Sequence, residues 1–229
     1  MLSYELKDSL QNISEVKLQD LLKQTQCLAR LEKSLGVSPG TLPPSWGWTA
    51  LPDLLEIIAE QALNPEVKNC LECGSGLSTV VTALCLKKKG FGKVVSLEHD
   101  LAAKKNTDRE LSRLGLEDYA KVIHAPLQEG TFNGKEQPWY SLPNSSEDLS
   151  SKIDMLFVDG PPVTTCELAR YPALPCFADK LSNKSLVILD DGIRDDEQKI
   201  SKLWSNEYPE LKKEFKFTER QAIIMRKDS

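Results

Sequence analysis

The sequence lacks any apolar run near the roughly 20 residues needed to span a bilayer, and its opening residues, MLSYELKDSLQN, lack the basic stretch and apolar core of an export signal. These absences argue against insertion and secretion and lead to the expectation of a soluble, cytoplasmic protein without a membrane span. Positive charge is not in excess either: 29 Lys and Arg face 34 Asp and Glu, a formal net charge of -5. A surface of that sign offers a polyanion little attraction, so nucleic acid is not expected as a partner. The six cysteines form one C-x-x-C string, Cys70 and Cys73, with no second pair at zinc-site spacing. That string runs along a strand into a turn instead of opening a helix, so core or loop thiols are expected. With 40% hydrophobic and 28% charged residues, the chain has no compositional bias toward disorder.

What is present divides into two parts, an N-terminal helical extension or cap over residues 1–64 and a catalytic-sized domain over residues 65–229. KLQDLLKQTQCLARLEKSLG carries apolar residues at helical spacing, with Leu21, Leu22, Leu28 and Leu31 near one stripe, and stops at glycine. TLPPSWGWTA breaks the regularity, and LPDLLEIIAEQAL forms a second helix ended by Asn64 and Pro65. A cap over a cleft and a homo-oligomer contact both remain open for these helices.

From Val67 onward short hydrophobic strands alternate with helices: VKNCLEC, KVVSLEH, YAKVIHA, IDMLFVDG and SLVILDDG, with helices after the first two and around 165–181 and 195–204. Apolar strands with crossovers of helical length predict an open α/β sheet covered on both faces. FKFTERQAIIMRK adds two antiparallel strands at its edge. The polar segment between Ala125 and Ile153, with Trp139 and Tyr140 as its aromatic pair, reads as a mobile lid or an unrecognised helix.

LECGSGLST sets Gly74 and Gly76 in a turn between strand and helix, where bare backbone and unpaired N–H groups admit the anionic end of a ligand. Glu98 ends the next strand, 22 residues after Gly76, where an acid accepts hydrogen bonds from both hydroxyls of a ribose. A P-loop is excluded because no Gly-Lys-Ser/Thr closes the turn. A dinucleotide site calls for a third glycine, whereas Leu77 and Ser78 follow Gly76. S-adenosylmethionine has no pyrophosphate, so its zwitterionic tail and single nucleoside suit the turn better, with Glu72 and Ser75 serving the tail.

The E-x-G-x-G of ECGSG, the acid in SLEHD, the loop after HAPL, the D-G-P-P and the last antiparallel pair together resemble the class I S-adenosylmethionine-dependent methyltransferases. LEHD, DGPP, RYPALP and ILDDG bring the chain nearest the small bacterial members, over residues 67–227. The resemblance implies a Rossmann-like three-layer sandwich with a seven-stranded, mostly parallel sheet in the order 3-2-1-4-5-7-6. It implies that Glu72, Gly74, Ser75, Gly76 and Ser78 line the methionine end, that Glu98 binds the ribose, that His99 and Asp100 flank the adenine, and that Ala125, Pro126 and Leu127 cover its other side.

Asp159 ends IDMLFVDG, and Asp190 and Asp191 end SLVILDDG, so the carboxyl ends of adjacent strands bring three acids toward one crevice. Three readings stay open: ligands for Mg²⁺ or Ca²⁺ against a substrate hydroxyl, a metal-free base, or structural capping. The arrangement is similar to the metal-dependent catechol-type O-methyltransferases, although Asp191 stands where that family carries Asn. Asp159 is the first candidate base, with Asp191 as ligand or second base and His124 as an alternative. Arg170 and Arg194 either neutralise these acids or clamp an anion on the acceptor. The expected function is methyl transfer to an oxygen or nitrogen of a small-molecule or sugar-like (glycan) acceptor. A NAD-dependent oxidoreductase and a catalytically silent nucleoside-binding scaffold are the alternatives.

Overall fold

The computed structural model describes residues 4–43, 49–142 and 151–227. The Trp-Gly-Trp stretch at 46–48 and residues 143–150 of the long polar segment lie outside the described residues.

Five parallel strands form the centre of the sheet: β1 (Asn69–Cys73), β2 (Lys93–Glu98), β3 (Ala120–His124), β6 (Ile153–Val158) and β7 (Leu181–Leu189). The closing pair, β8 (Leu211–Lys216) and β9 (Ala222–Lys227), is antiparallel, and β9 lies antiparallel against β7. The full order is β3-β2-β1-β6-β7-β9-β8, the topology implied by the resemblance. Alternate residues of each strand enter different cores, as the two-residue strand period requires. Cys70, Val94, Val122, Phe157 and Ile188 pack with the helices α2 (Pro52–Ala62) and α3 (Leu77–Lys89), while Leu71, Val95, Leu156, Val187 and Ile223 pack on the opposite face. The second face is covered by α5 (Ala173–Phe177) and α6 (Asp195–Glu207), through Phe177 and Trp204 among others.

Three expectations need correction. The helix expected around 165–181 shrinks to α5 and one 3-10 turn at Ala178–Lys180. Pro172 disfavours the helical region for Tyr171, and Leu168 at φ 55° already breaks the chain upstream, so a helix starts only beyond that proline. The lid-or-helix segment instead folds, over its described part, as a hairpin of β4 (Leu127–Phe132) and β5 (Lys135–Tyr140). Its turn is Asn133-Gly134, both at positive φ (49° and 80°), the two-residue type I′ geometry that matches strand twist. Finally, Leu21 and Leu22 of α1 (Tyr4–Leu35) are exposed, whereas Cys27, Leu31 and Leu35 are buried and Leu28 is half-buried. The inward face continues back through Gln24 and Asp20, both half-buried, which turns those two leucines away. Among the described residues, no helix is long and apolar enough to cross a membrane.

The hairpin turn gives a direct test. Gly134→Ala places a Cβ at a left-handed position and is expected to cost about 1 kcal/mol. An unchanged urea midpoint would show that the turn does not hold the hairpin.

Candidate functional site

The carboxyl ends of β1, β2, β6 and β7 open on one cavity of about 610 Å³, within the range of small-ligand sites. Gly74, Ser75, Ser78, Glu98, His99 and Asp100 line one end; Asp159, Gly160, Arg170, Asp191, Arg194 and Arg220 line the other. Among the described residues, none of the segment 1–64 lines it.

At the first end Gly74, at φ 98°, turns the chain after β1, its N–H bonded to the Leu97 carbonyl at 2.9 Å. The turn presents Ser75 to Glu98: both the backbone N–H (2.9 Å) and the hydroxyl (3.0 Å) donate to Glu98 Oε2. Glu98 Oε1 accepts the Asp100 N–H at 2.9 Å and stands 3.1 Å from His99 Nδ1, a charge contact off the hydrogen-bond direction. Burial pushes the Glu98 carboxyl up, but His99, Asp100 and Ser75 together hold it below the ordinary Glu range. Helix α4 (Leu101–Arg113) is capped by Asp100, whose Oδ1 accepts from Ala102 and Ala103, so Glu98 is spared that task.

Glu72 lies outside the lining. It is buried beneath the turn and accepts from Ser78, Thr79 and, at 2.7 Å, Ser96. Desolvation is the largest influence and raises its carboxyl to about 7 against those three donors. Two carboxyls on neighbouring strands are therefore shifted in opposite directions.

At the other end Arg170, buried, reaches every acid in the group. Its Nη2 donates to Asp159 Oδ1 (3.1 Å) and Asp191 Oδ2 (3.0 Å), its Nη1 donates to the Asp190 carbonyl (3.1 Å), and Glu197 Oε1 lies 3.5 Å from Nη1. Arg194 Nη1 stands 2.8 Å from Asp191 Oδ2, and Arg220 Nη1 3.8 Å from Asp191 Oδ1. Burial, then Asp190, raises the Asp159 carboxyl well above its ordinary range despite Arg170. Desolvation, followed by Asp191, lifts Asp190 to about 6. Carboxylate oxygens of Asp159, Asp190 and Asp191 lie within 4.8 Å of one another, a spacing a cation could span.

The remaining sequence candidates fall elsewhere. Gly76 caps α3 at an extended φ of 163° and does not line the cavity. His124 is exposed, with Nε2 3.3 Å from the His99 carbonyl. Ala125 is buried with its N–H on the Glu98 carbonyl at 2.8 Å, and Pro126 is exposed; none of these three lines the cavity. Trp139 is buried inside the hairpin core, while Tyr140 reaches the cavity wall. Sequence reasoning missed Ala103, Thr164 and Arg220. Arg220 lies between the closing antiparallel strands, and strand order alone brings that turn to the carboxyl edge of β7.

Residues 71–192, more than half of the chain, match a family described as "Methyltransferase domain". No curated protein matches the sequence. Among solved structures the chain is similar to an SAH-bound methyltransferase of Podospora anserina (14% identity, TM-score 0.62, covering 100% of this chain and 99% of that one). It is also similar to an O-methyltransferase of Bacillus cereus in complex with SAH (17%, 0.56, 89% and 91%) and to the O-methyltransferase TomG of Streptomyces achromogenes in complex with SAM (11%, 0.56, 90% and 89%).

Two measurements probe the site without a ligand. A Cβ on Gly160 would stand 2.2 Å from the Tyr140 hydroxyl, which has no hydrogen-bond partner. Gly160→Ala is therefore expected to cost about 1–3 kcal/mol, and adding Tyr140→Phe to recover most of it; equal losses in both backgrounds would place the clash elsewhere. Glu72 keeps its proton to about pH 7 in the folded chain but only to the ordinary Glu value when unfolded. Its contribution is thus present below about pH 4.5 and lost as pH rises toward 7. Stability of the wild type relative to Glu72→Gln should fall by on the order of 3 kcal/mol between about pH 4.5 and 7.5, read from denaturant titrations; parallel curves would refute the raised value.

Proposed function

We propose, starting from the fact that the chain belongs to the class I S-adenosylmethionine-dependent methyltransferase family, that its cavity carries methyl transfer from S-adenosylmethionine to an oxygen or nitrogen of a small-molecule or sugar-like acceptor. One observation carries the reading: Glu98, held directly by Ser75 of the Gly74–Gly76 turn, lines the same cavity as Asp159 and Asp191. Ligand states of the similar structures, SAH in the Bacillus cereus enzyme and SAM in TomG, support the cofactor.

In this reading Glu98, ionised and already ordered by Ser75 and Asp100, accepts both ribose hydroxyls, with Ser75 Oγ yielding its place to one of them. Gly74 and Ser75 offer close backbone to the amino-acid tail. His99 and Asp100 lie beside the base. S-adenosylmethionine supplies an electrophilic methyl on a sulfonium, so the chain's own task is alignment and proton removal. Asp159 faces the acceptor side, and its raised carboxyl makes it a stronger base than an ordinary Asp once ionised. Asp159 would take the proton that the acceptor oxygen or nitrogen gives up on methylation. Arg194, one-third exposed at the rim, stands where it can meet an anionic or hydroxylated acceptor.

The N-terminal segment serves in this reading as an extension: its described residues pack on the α3 face and none of them lines the cavity. All six thiols are free, which suits a cytoplasmic location.

Calorimetry with S-adenosylmethionine, its demethylated product and NAD tests the reading. Micromolar binding of the two sulfur compounds is expected, and Glu98→Ala should weaken it by more than about tenfold, or about 1.4 kcal/mol. Binding of NAD alone would replace methyl transfer with the oxidoreductase reading.

A further inference from the structure

The acid cluster at the acceptor end has the look of a cation site, yet arginine already holds an oxygen of Asp159 and an oxygen of Asp191. Asp190 is fully buried and does not line the cavity, so an ion entering from the cavity meets Asp159 and Asp191 alone. Both of those carboxylates are hydrogen-bonded to one nitrogen of Arg170, and the Asp191 oxygen that Arg170 holds also takes Arg194 at 2.8 Å. The accessible face of Asp191 is bounded by a third guanidinium, Arg220, which itself lines the cavity. Four acids, Asp159, Asp190, Asp191 and Glu197, surround three arginines, and a divalent ion set among them would sit against fixed positive charge.

We infer that the acidic cluster is closed to metal ions and that Arg170 is its resident cation, a positioning residue that fixes Asp159 and Asp191 for the acceptor. The guanidinium is permanently charged and planar, and its two amino groups span the ends of β6 and β7 in a way a single ion could not. The acids keep Arg170 ionised against the cost of burial. Acceptor activation then depends on the Asp159 carboxylate and not on a Lewis acid, so the acceptor need not offer two adjacent oxygens to chelate an ion. This deepens the methyl-transfer reading by naming the cation on its acceptor side. The test below measures ion binding without cofactor, so either reading can fail alone.

The experiment titrates the full chain with MgCl₂ and CaCl₂ by calorimetry and with Tb³⁺ by luminescence, alongside Arg170→Met and Arg170→Lys. The wild type is expected to show no saturable binding up to about 5 mM Mg²⁺ or Ca²⁺, beyond the range of weak protein calcium sites. Arg170→Met should gain Ca²⁺ and Tb³⁺ binding at least about tenfold tighter, because two carboxylates lose their cation, and Arg170→Lys should not. A purely structural arginine would give no such gain. Saturable wild-type binding that disappears in Asp191→Asn overturns the inference, as does a folded Arg170→Met with no gain. Should Arg170→Met fail to fold, the wild-type and Asp191→Asn titrations decide by themselves.

Discussion

A buried guanidinium among four carboxylates is the constraint on which the acceptor half of this structure depends. Arg170 leaves a turn-rich stretch before α5 and ties the end of β6, through Asp159, to the end of β7, through Asp190 and Asp191, and to α6, through Glu197. Removing either sign would strand the other in a poorly solvated place, a loss larger than the net worth of the pairs themselves. The same ties explain why the chain before α5 is irregular. A helix through residues 165–172 would carry Arg170 in a register set by helical geometry, whereas the observed path, with Leu168 at positive φ and its N–H on Asp196, delivers the side chain between two strand ends.

The other half of the cavity works by contrast between two glutamates. Glu72 and Glu98 lie on adjacent parallel strands, and burial opposes ionisation of both. Glu98 meets backbone donors and an imidazole, which stabilise a charge; Glu72 meets only side-chain hydroxyls, and burial raises its carboxyl to about 7. Glu98, not Glu72, is the glutamate that lines the cavity, and the hydroxyls of Ser78 and Thr79 are spent on holding the turn to β1. Glu72 supports the glycine turn from below while Glu98 works from the side.

Much of this could be read from the chain because its signals are local. An apolar run ending in ECGSG fixes a strand, a turn and a helix start within nine residues, and the closing antiparallel pair follows from two strands with a polar turn between them. Sequence reading failed where a structure is decided by distant groups. Leu21 and Leu22 sit at helical spacing, but which side of α1 meets the body is set by Gln24 bonding to Asp53 and Arg30 to Glu56. Glu72 is drawn inward by Ser96 of the neighbouring strand, 24 residues away, a contact that no local pattern announces. The Asn133-Gly134 pair was legible: flanked by TF and KE it is a strong hairpin signal, obscured by the surrounding polar composition and by Pro138 within β5.

That hairpin has a consequence for the cavity. Pro138 is tolerated because a two-stranded ribbon has free edges, and the two residues after it turn inward, Trp139 against Phe132 and Tyr140 against His99. Tyr140 thereby reaches Gly160, at the point where the ends of β1 and β6 come closest and any Cβ would collide with its hydroxyl. Gly160 is required by an aromatic side chain delivered from a separate two-stranded sheet, not by a ligand. The wall between the glycine turn and Asp159 is thus shaped by three segments far apart in sequence.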